Sequence, residues 1–207
     1  MAELELQRLK PPEVYHLMTR VVAPRPIALV SSLDPSGRGN LAPFSYFMMG
    51  GSNPPSCVIC PVRTRRASQK DTLNNVEQTG EYVINVCTRE LAEQMNRCSY
   101  DYGPEVDEFD VSGLTREPSR LVRPPRVKES PIHLECRLHQ LVRHGDGPLS
   151  SNYLIGEILL VQVRDELLGA DGRPDDGRIR FIGRLGGDHY TEVTPESLFQ
   201  MPRPTEP

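Results

Sequence analysis

The chain has 207 residues, enough to enclose one sizeable hydrophobic core, and its charges are nearly balanced. It contains 24 lysines and arginines against 28 aspartates and glutamates, a formal net charge of -4. Nucleic-acid and membrane-surface proteins need a basic patch of one sign, so we expect no partner of either kind. No run approaches the ~20 apolar residues of a membrane span, and the acidic start MAELELQRLK is unlike a signal peptide, so we expect a cytoplasmic protein.

The proline and cysteine contents indicate the fold class and the redox state of the thiols. The 20 prolines favour many short segments joined by turns, as in a β-rich fold. The five cysteines are odd in number and irregularly spaced, which is typical of reduced thiols rather than of a disulfide framework. We expect one domain over residues 1–207, with its core at about 12–192 and a short arm at each terminus.

The first part of the chain predicts a helix and then a hairpin. Apolar residues recur at helical spacing over residues 12–22, and Pro24 and Pro26 follow where that helix must end. Residues 26–32 form an apolar run of strand length. Residues 34–39 (DPSGRG) have turn chemistry, and residues 40–47 are extended again.

Strands dominate the remainder and do not alternate regularly with helices. The pattern predicts strands at 56–62, 81–86, 132–143 and 153–163, and helices at 71–78 and 88–96. Asp71 suits the N-cap of the first of these helices, and Gly80 suits its C′ position. The polar, Pro-rich residues 99–131 are expected to pass around the core, and the tail from Pro195 is expected to be an arm. The predicted fold is mainly β, an antiparallel, partly closed barrel with flanking helices.

The segment PVRTRRASQKDTLNNV (61–76) carries the most chemistry. Arg63, Arg65, Arg66 and Lys70 precede the predicted helix start. A helix N-terminus offers unpaired N–H groups and a positive dipole end, which suit a phosphate, and Ser68 and Thr72 add hydroxyl donors. A solvated basic loop before a capped helix has the same sequence, so both interpretations stay open. No Walker motif and no GxGxxG after a strand is present.

Other motifs favour no catalytic site. Cys57 and Cys60 form a CxxC within a predicted strand, where the two thiols point to opposite faces. His133, Cys136 and His139 spell HxxCxxH, but on a strand the cysteine faces away from both histidines, so we expect no metal site. His133 alone stays a candidate to border a site. No GxSxG motif or Ser-His-Asp order indicates a hydrolase.

Three stretches together resemble the flavin reductase-like, FMN-binding split-barrel family, which includes flavoredoxins and the reductase components of two-component monooxygenases. RPIALVSSLDPSGRGNLAPFSYF (25–47) resembles the opening hairpin of that family, and KDTLNNVEQTGEYVINV (70–86) is similar to its Lys-Asp-Thr helix and the next strand. VDEFDVSGL (106–114), VKESPIHLEC (127–136) and FIGRLGGDHY (181–190) are weaker matches. The resemblance spans about residues 12–192.

The resemblance implies FMN as the cofactor and indicates which residues hold it. The hairpin residues expected against the isoalloxazine ring are Ser31, Ser32, Asn40, Ala42, Pro43, Phe44 and Ser45. The residues expected at the FMN phosphate are Arg63, Lys70, Asp71 and Thr72, to which the chemistry of the loop adds Ser68. Arg184 and Tyr190 match a C-terminal motif near the cofactor, and His133, His189 and Tyr190 are the candidate catalytic residues around the ring.

The implied activity is that of an NAD(P)H-dependent flavin reductase, which transfers hydride from a nicotinamide to FMN. Because the flavin performs this chemistry, no general acid or nucleophile is required of the protein. The alternative is a flavoredoxin-like electron-transfer protein that retains FMN and is reduced by a protein partner. A flavin-binding protein without turnover is a third hypothesis. The expected partners are NAD(P)H, a monooxygenase or electron-transfer protein, and a second copy in a homodimer with FMN at the interface.

Overall fold

A computed structural model describes residues 1–204, and residues 205–207 lie outside the described part. The helices are α1 (Pro11–Val21), α2 (Asp71–Thr79), α3 (Ala92–Arg97) and α4 (Glu108–Ser112). The strands are β1 (Arg25–Pro26), β2 (Ala28–Leu33), β3 (Gly39–Phe44), β4 (Phe47–Ser52), β5 (Pro55–Ile59), β6 (Glu81–Val86), β7 (Arg116–Glu117), β8 (Arg126–Val127), β9 (Ile132–His144), β10 (Ser151–Val163), β11 (Ile182–Arg184) and β12 (Tyr190–Glu192). Short 3-10 turns lie at Leu6–Arg8, Arg89–Leu91, Asp165–Leu167 and Pro195–Ser197.

Seven antiparallel strands form the main sheet, in the order β3-β2-β6-β9-β10-β5-β4. Strands β3 and β4 are its two edges, yet only Ser45 and Tyr46 separate them in the chain. That link spans at most about 11 Å, whereas seven strands laid flat span about 29 Å. The sheet must therefore curl into a barrel. Because no ladder pairs β3 with β4 within residues 1–204, the barrel is split. The predicted mainly β, antiparallel split barrel is confirmed.

The hairpin of β2 and β3 is closed by a turn that Asp34 organises. Its carboxylate accepts hydrogen bonds from Ser36 Oγ at 2.6 Å and from the Arg38 amide at 2.9 Å. These bonds hold the pKa of Asp34 far below its usual value. The two strands then pair in register from Ala28 opposite Phe44 to Leu33 opposite Gly39. The hairpin predicted from residues 26–47 is confirmed, except that its second strand ends at Phe44.

The inside of the barrel is filled by apolar side chains from alternate strand positions and by α2. Leu73 and Val76 of that helix are fully buried and belong to the same cluster as Val30, Tyr82 and Leu154. A glycine makes room for the largest member. A Cβ built on Gly156 would lie 1.8 Å from the Tyr82 hydroxyl, so any side chain at this position would force the buried Tyr82 ring to move.

The opposite face of the sheet is covered by residues 99–131, which do more than pass around the core. They form α4 and the β7–β8 hairpin, and Phe109, Leu114 and Val127 enter a second buried apolar cluster. The expectation of a polar excursion is corrected in this respect. Backbone groups of the segment are held by buried polar side chains of the sheet. Glu135 accepts the amides of Arg120 at 2.9 Å and Leu121 at 2.6 Å.

Some predicted element boundaries need correction. Helix α2 begins at Asp71, so the N-cap is Lys70, whose carbonyl accepts the Leu73 amide at 2.9 Å. Gly80 ends the helix with φ 73°, as predicted. The helix predicted over 88–96 is a 3-10 turn followed by α3. Strand β5 ends at Ile59, three residues before the predicted end, although the amide of the next residue, Cys60, still bonds to the Tyr46 carbonyl at 2.8 Å.

Candidate functional site

A cavity of about 240 Å³ lies where the split edge of the barrel meets the start of α2. One wall is β3 with the corner after it, a second is the start of α2, and a third is the segment that follows α3. The lining residues are Tyr15, Asn40, Ala42, Pro43, Phe44, Ser45, Tyr46, Cys60, Val62, Lys70, Asp71, Thr72, Cys98, Ser99, Tyr100, Asp101, Tyr102 and Glu108. Eight of the thirteen residues expected to hold the cofactor are among them.

The start of α2 is suited to an anion. The amides of Leu73 and Asn74 both donate to the Lys70 carbonyl, at 2.9 and 3.1 Å. The amides of Asp71 and Thr72 have no acceptor among residues 1–204. They are therefore free donors at the positive end of the helix dipole. Because the first amides of every helix lack an intrahelical acceptor, this feature agrees with a phosphate site and equally with a solvated loop before a capped helix.

A buried hydrogen-bond network locks the hairpin to α2. Asn40 Nδ2 donates to Thr72 Oγ1 at 2.8 Å and to Ser32 Oγ at 3.4 Å. Asn75 Nδ2 donates to the same Ser32 oxygen at 3.1 Å. Ser32 thus lies behind the cavity wall and supports Asn40, which lines it. The network fixes the distance between β3 and the helix start.

The basic loop before α2 is folded on itself. Arg63 Nη1 donates to the Ala67 carbonyl at 2.9 Å, and Thr64 Oγ1 lies 2.6 Å from Ser68 Oγ. Arg63 Nε is buried and has no acceptor among the described residues, an arrangement that proteins rarely leave unsatisfied. Lys70 Nζ lies 2.7 Å from Asp101 Oδ1. Arg63 and Ser68 are outside the cavity lining, and Lys70 is in it.

One buried arginine holds the corner between β3 and β4 in place. The Arg25 guanidinium donates to the carbonyls of Thr19, at 2.7 Å, and Leu185, at 3.0 Å, and it also bonds to the Val22 carbonyl. Its Nε reaches Ser45 Oγ at 3.4 Å. Arg25 therefore joins the end of α1, the chain after β11 and a cavity-lining serine. The sequence showed Arg25 only as the first residue of a family-like stretch.

An acidic side chain that sequence reasoning missed also lines the cavity. Glu108 is 7% exposed, and its Oε2 accepts the Leu41 amide at 2.8 Å. Burial is the main reason that its pKa is raised, and the nearby carboxylates Asp107 and Asp71 raise it further. Signals for its helix were present, because Asp107 caps α4 and Gly113 ends it with φ 75°. Nothing in the sequence placed α4 against β3.

Ser31 and His133 lie on the other face of the sheet, away from this cavity. Ser31 Oγ donates to the Pro125 carbonyl, and His133 Nε2 lies 2.8 Å from the Val127 carbonyl. Burial lowers the pKa of His133. The alternation that puts Val30 inside the barrel puts Ser31 outside it. The cavity therefore contains neither of these two expected residues.

The C-terminal motif forms a separate arrangement. The Arg184 guanidinium lies 4.4 Å from the centre of the Tyr190 ring, and Arg184 also bonds to the Gly187 carbonyl. Both residues line a second concavity of about 580 Å³ beside α3. His189 lies in the tight turn between β11 and β12, where its amide donates to the Gly186 carbonyl. In one chain, the motif does not reach the cavity at α2.

Two further properties concern metals and membranes. In residues 1–204, no three side chains of His, Cys, Asp or Glu come together in a way that would hold a metal ion. HxxCxxH is split between the two faces of β9, with Cys136 in the barrel interior. None of the helices in the described part has the length and apolar character to span a membrane.

Comparison with known proteins agrees with this architecture. A family model described as "Flavin reductase like domain" matches residues 18–177. Nitrilotriacetate monooxygenase component B from Bacillus cereus superposes with a TM-score of 0.90 at 28% identity, over 97% of this chain and 98% of that one. For the 2-nitrobenzoate 2-nitroreductase NbaA of Pseudomonas fluorescens, the TM-score is 0.87 at 32% identity, over 99% and 97%.

A third similar structure is the flavoredoxin of Desulfovibrio vulgaris (Miyazaki F), with a TM-score of 0.75 and 25% identity over 87% of this chain and 91% of that one. The matched family model covers well over half of the chain, and these structures share its split barrel. The chain belongs to the flavin reductase-like family of split-barrel proteins.

Proposed function

We propose that this protein binds FMN in the cavity at the start of α2 and reduces it with NADH or NADPH. The observation that carries the proposal is that Asp71 and Thr72, whose amides are free, line the same cavity as the β3 wall. A helix N-terminus is suited to a phosphate, and Ala42, Pro43 and Phe44 contribute apolar lining to the cavity for an aromatic ring. FMN has both groups.

The cations of the loop fit the phosphate end of this ligand. Lys70 is held by Asp101, an exposed carboxylate, and a phosphate dianion is a stronger partner for the same ammonium. Arg63 belongs to the same loop, and its buried Nε has no acceptor among the described residues. We assign Lys70, Asp71 and Thr72 to the phosphate, and Arg63 and Ser68 to the loop that surrounds it. Asn40 and Ser45 are assigned to the polar edge of the ring.

The reductase activity is supported by the chemistry of the proposed cofactor and by the proteins of similar structure. Bound FMN supplies a hydride acceptor at N5, so the protein needs only to bind, orient and shield the ring. Nitrilotriacetate monooxygenase component B and the 2-nitrobenzoate 2-nitroreductase are neighbours whose names describe such redox roles. Their similarity supports a reductase, with a monooxygenase as one class of partner.

Anaerobic reduction of the flavin tests this activity. FMN-loaded protein is mixed with NADH or NADPH in a stopped-flow instrument, and the oxidised flavin band is followed. We expect one of the two nucleotides to bleach it without any added protein. If neither does so at millimolar concentration while a chemical reductant does, the electron-carrier function takes the place of the reductase. The flavoredoxin neighbour supports that alternative.

We propose that the protein forms a homodimer. A cavity of about 240 Å³ is smaller than the roughly 300–1,000 Å³ of sites that enclose a ligand of drug size, so one chain leaves the flavin partly uncovered. Arg184, His189 and Tyr190 lie outside the cavity of their own chain, and we assign them to the site of the second copy. His133 is not part of the proposed site, because it faces the other side of the sheet.

Light scattering at several protein concentrations tests the dimer. We expect twice the mass of the chain with FMN bound, and loss of FMN when dilution produces monomer. A monomer that keeps its FMN would contradict the shared site.

A further inference from the structure

A second polar cavity, of about 320 Å³, lies on the face of the sheet opposite the flavin cavity. It is formed where the end of β10 meets the start of β9 and β8. His133 and Gln162 are cross-strand neighbours at its base. Arg126, Lys128 and Arg164 surround them, and Glu117 is the acidic residue among those that line the cavity. Three cations and one carboxylate therefore line the cavity, and a second carboxylate, that of Glu166, lies outside the lining and 3.9 Å from Arg164 Nη1.

Two of the three cations are held in position by the surrounding chain. Arg126 pairs with Glu117 at 2.9 Å and donates from Nε to the Pro118 carbonyl at 3.1 Å. Arg164 donates from Nη2 to the carbonyls of Lys128, at 2.8 Å, and Glu129, at 3.0 Å, and its Nη1 lies 3.9 Å from Glu166 Oε1. Each guanidinium keeps N–H groups beyond those that these bonds use. Lys128 Nζ has no partner in residues 1–204.

The base of the cavity holds one buried polar atom that has no hydrogen-bond partner, and beside it a buried histidine. Gln162 Oε1 is buried and receives no hydrogen bond within the described residues. His133 is 5% exposed, and its Nε2 must carry the proton, because the atom it bonds to is the Val127 carbonyl oxygen. Its Nδ1 has no partner in the described chain. A buried acceptor without a donor is costly, and it indicates that a donor belongs there.

We propose that this cavity binds the phosphate group of a small metabolite, held by Lys128, Arg126 and Arg164 and donating its own hydroxyl to Gln162. Hydrogen phosphate and protonated phosphate esters have both the negative charge that the cations require and the O–H that the Gln162 oxygen lacks. Sulfate has the charge without the O–H. The site is separate from the proposed flavin cavity and does not depend on it.

The pKa of His133 should report phosphate binding, because it depends on the charges around the imidazole. Burial lowers its pKa, Arg126 and Arg164 lower it further, and the bond to Val127 and the charge of Glu117 act in the opposite direction. A bound phosphate offsets the two arginines and Lys128. The pKa of His133 should therefore rise when phosphate binds.

The test is an NMR titration of the protein as purified, with any bound flavin retained. Inorganic phosphate or sodium sulfate is added at constant ionic strength while the His133 ring resonances are followed, after their assignment with His133→Gln. We expect a saturable shift with phosphate and a raised His133 pKa, with binding of sulfate at least about fivefold weaker. Lys128→Ala should weaken phosphate binding about fivefold or more, and Gln162→Met should remove the preference for phosphate over sulfate.

Arg173→Ala is the matched control, because it removes an exposed cation elsewhere and should leave the titration unchanged. Equal responses to phosphate and sulfate in the native protein would overturn the proposed role of Gln162. An unsaturable shift, or one that Lys128→Ala does not weaken, would overturn the site itself. Folding is checked in each variant by the remaining histidine resonances.

Discussion

At the scale of residues, the two faces of the main sheet differ in the polar side chains that they carry. Inside the barrel most alternate positions are apolar, with Ser32 and Asn40 as polar exceptions that are linked to α2 by hydrogen bonds. On the outer face, Ser31, Asn85 and Glu135 are fully buried and hydrogen-bonded to the covering segment. Sequence alternation was sufficient to place Ser31 opposite Val30. It could not show that residues 118–130 would return to cover that face. Ser31 was expected at the isoalloxazine ring because its segment resembles the family hairpin. The resemblance identified the segment and not the direction of each side chain.

Ser31→Ala should lower stability and leave FMN binding unchanged. The substitution leaves the Pro125 carbonyl without its donor, which costs about 1 kcal/mol. Urea unfolding measures the free energy of unfolding, and fluorescence titration measures the FMN dissociation constant. Ser52→Ala, an exposed serine on β4, is the control and should change neither. A tenfold loss of FMN affinity with unchanged stability would place Ser31 at the flavin instead.

At the scale of elements, the hydrophobic pattern of the sequence located the strands at the centre of the main sheet. The boundaries of β6 were predicted as observed, and β9 and β10 were located to within two residues at each end. The strands β11 and β12 have three residues each and form a small sheet with β1, in the order β1-β11-β12. So short a segment has no periodicity to recognise. Helix α4 was not predicted, although the sequence has a capping residue before it and a glycine after it, because the surrounding residues 99–131 are mostly polar.

Gly156→Ala tests how the strands pack inside the barrel. The new methyl group would lie 1.8 Å from the Tyr82 hydroxyl and 2.8 Å from its ring, so a buried tyrosine on β6 must move. We expect a loss of about 1–3 kcal/mol in the free energy of unfolding, measured by urea denaturation. Combination with Tyr82→Leu, which removes the ring, should cost less than the sum of the two single changes. Strict additivity would contradict the contact across the barrel.

At the scale of the whole molecule, the candidate site depends on closure of the barrel. The β3 wall, the start of α2 and Glu108 are more than 25 residues apart in the chain and meet because the sheet curls and α2 fills one opening. The sequence identified the first two segments through their chemistry and their resemblance to a family. It could not show that Arg184 and Tyr190 would lie apart from them, since that depends on the path of the chain after β10.

The central claim is that the start of α2 binds the phosphate of FMN, and a comparison of FMN with riboflavin tests it most directly. Equilibrium titrations are made with the native protein, with Lys70→Ala and with the control Lys128→Ala. A charge-assisted hydrogen bond contributes about 1.5–3 kcal/mol, so Lys70→Ala should weaken FMN binding about tenfold or more and leave riboflavin binding unchanged. Lys128→Ala should alter neither, and the native protein should prefer FMN. Equal affinity of the native protein for FMN and riboflavin would contradict the account.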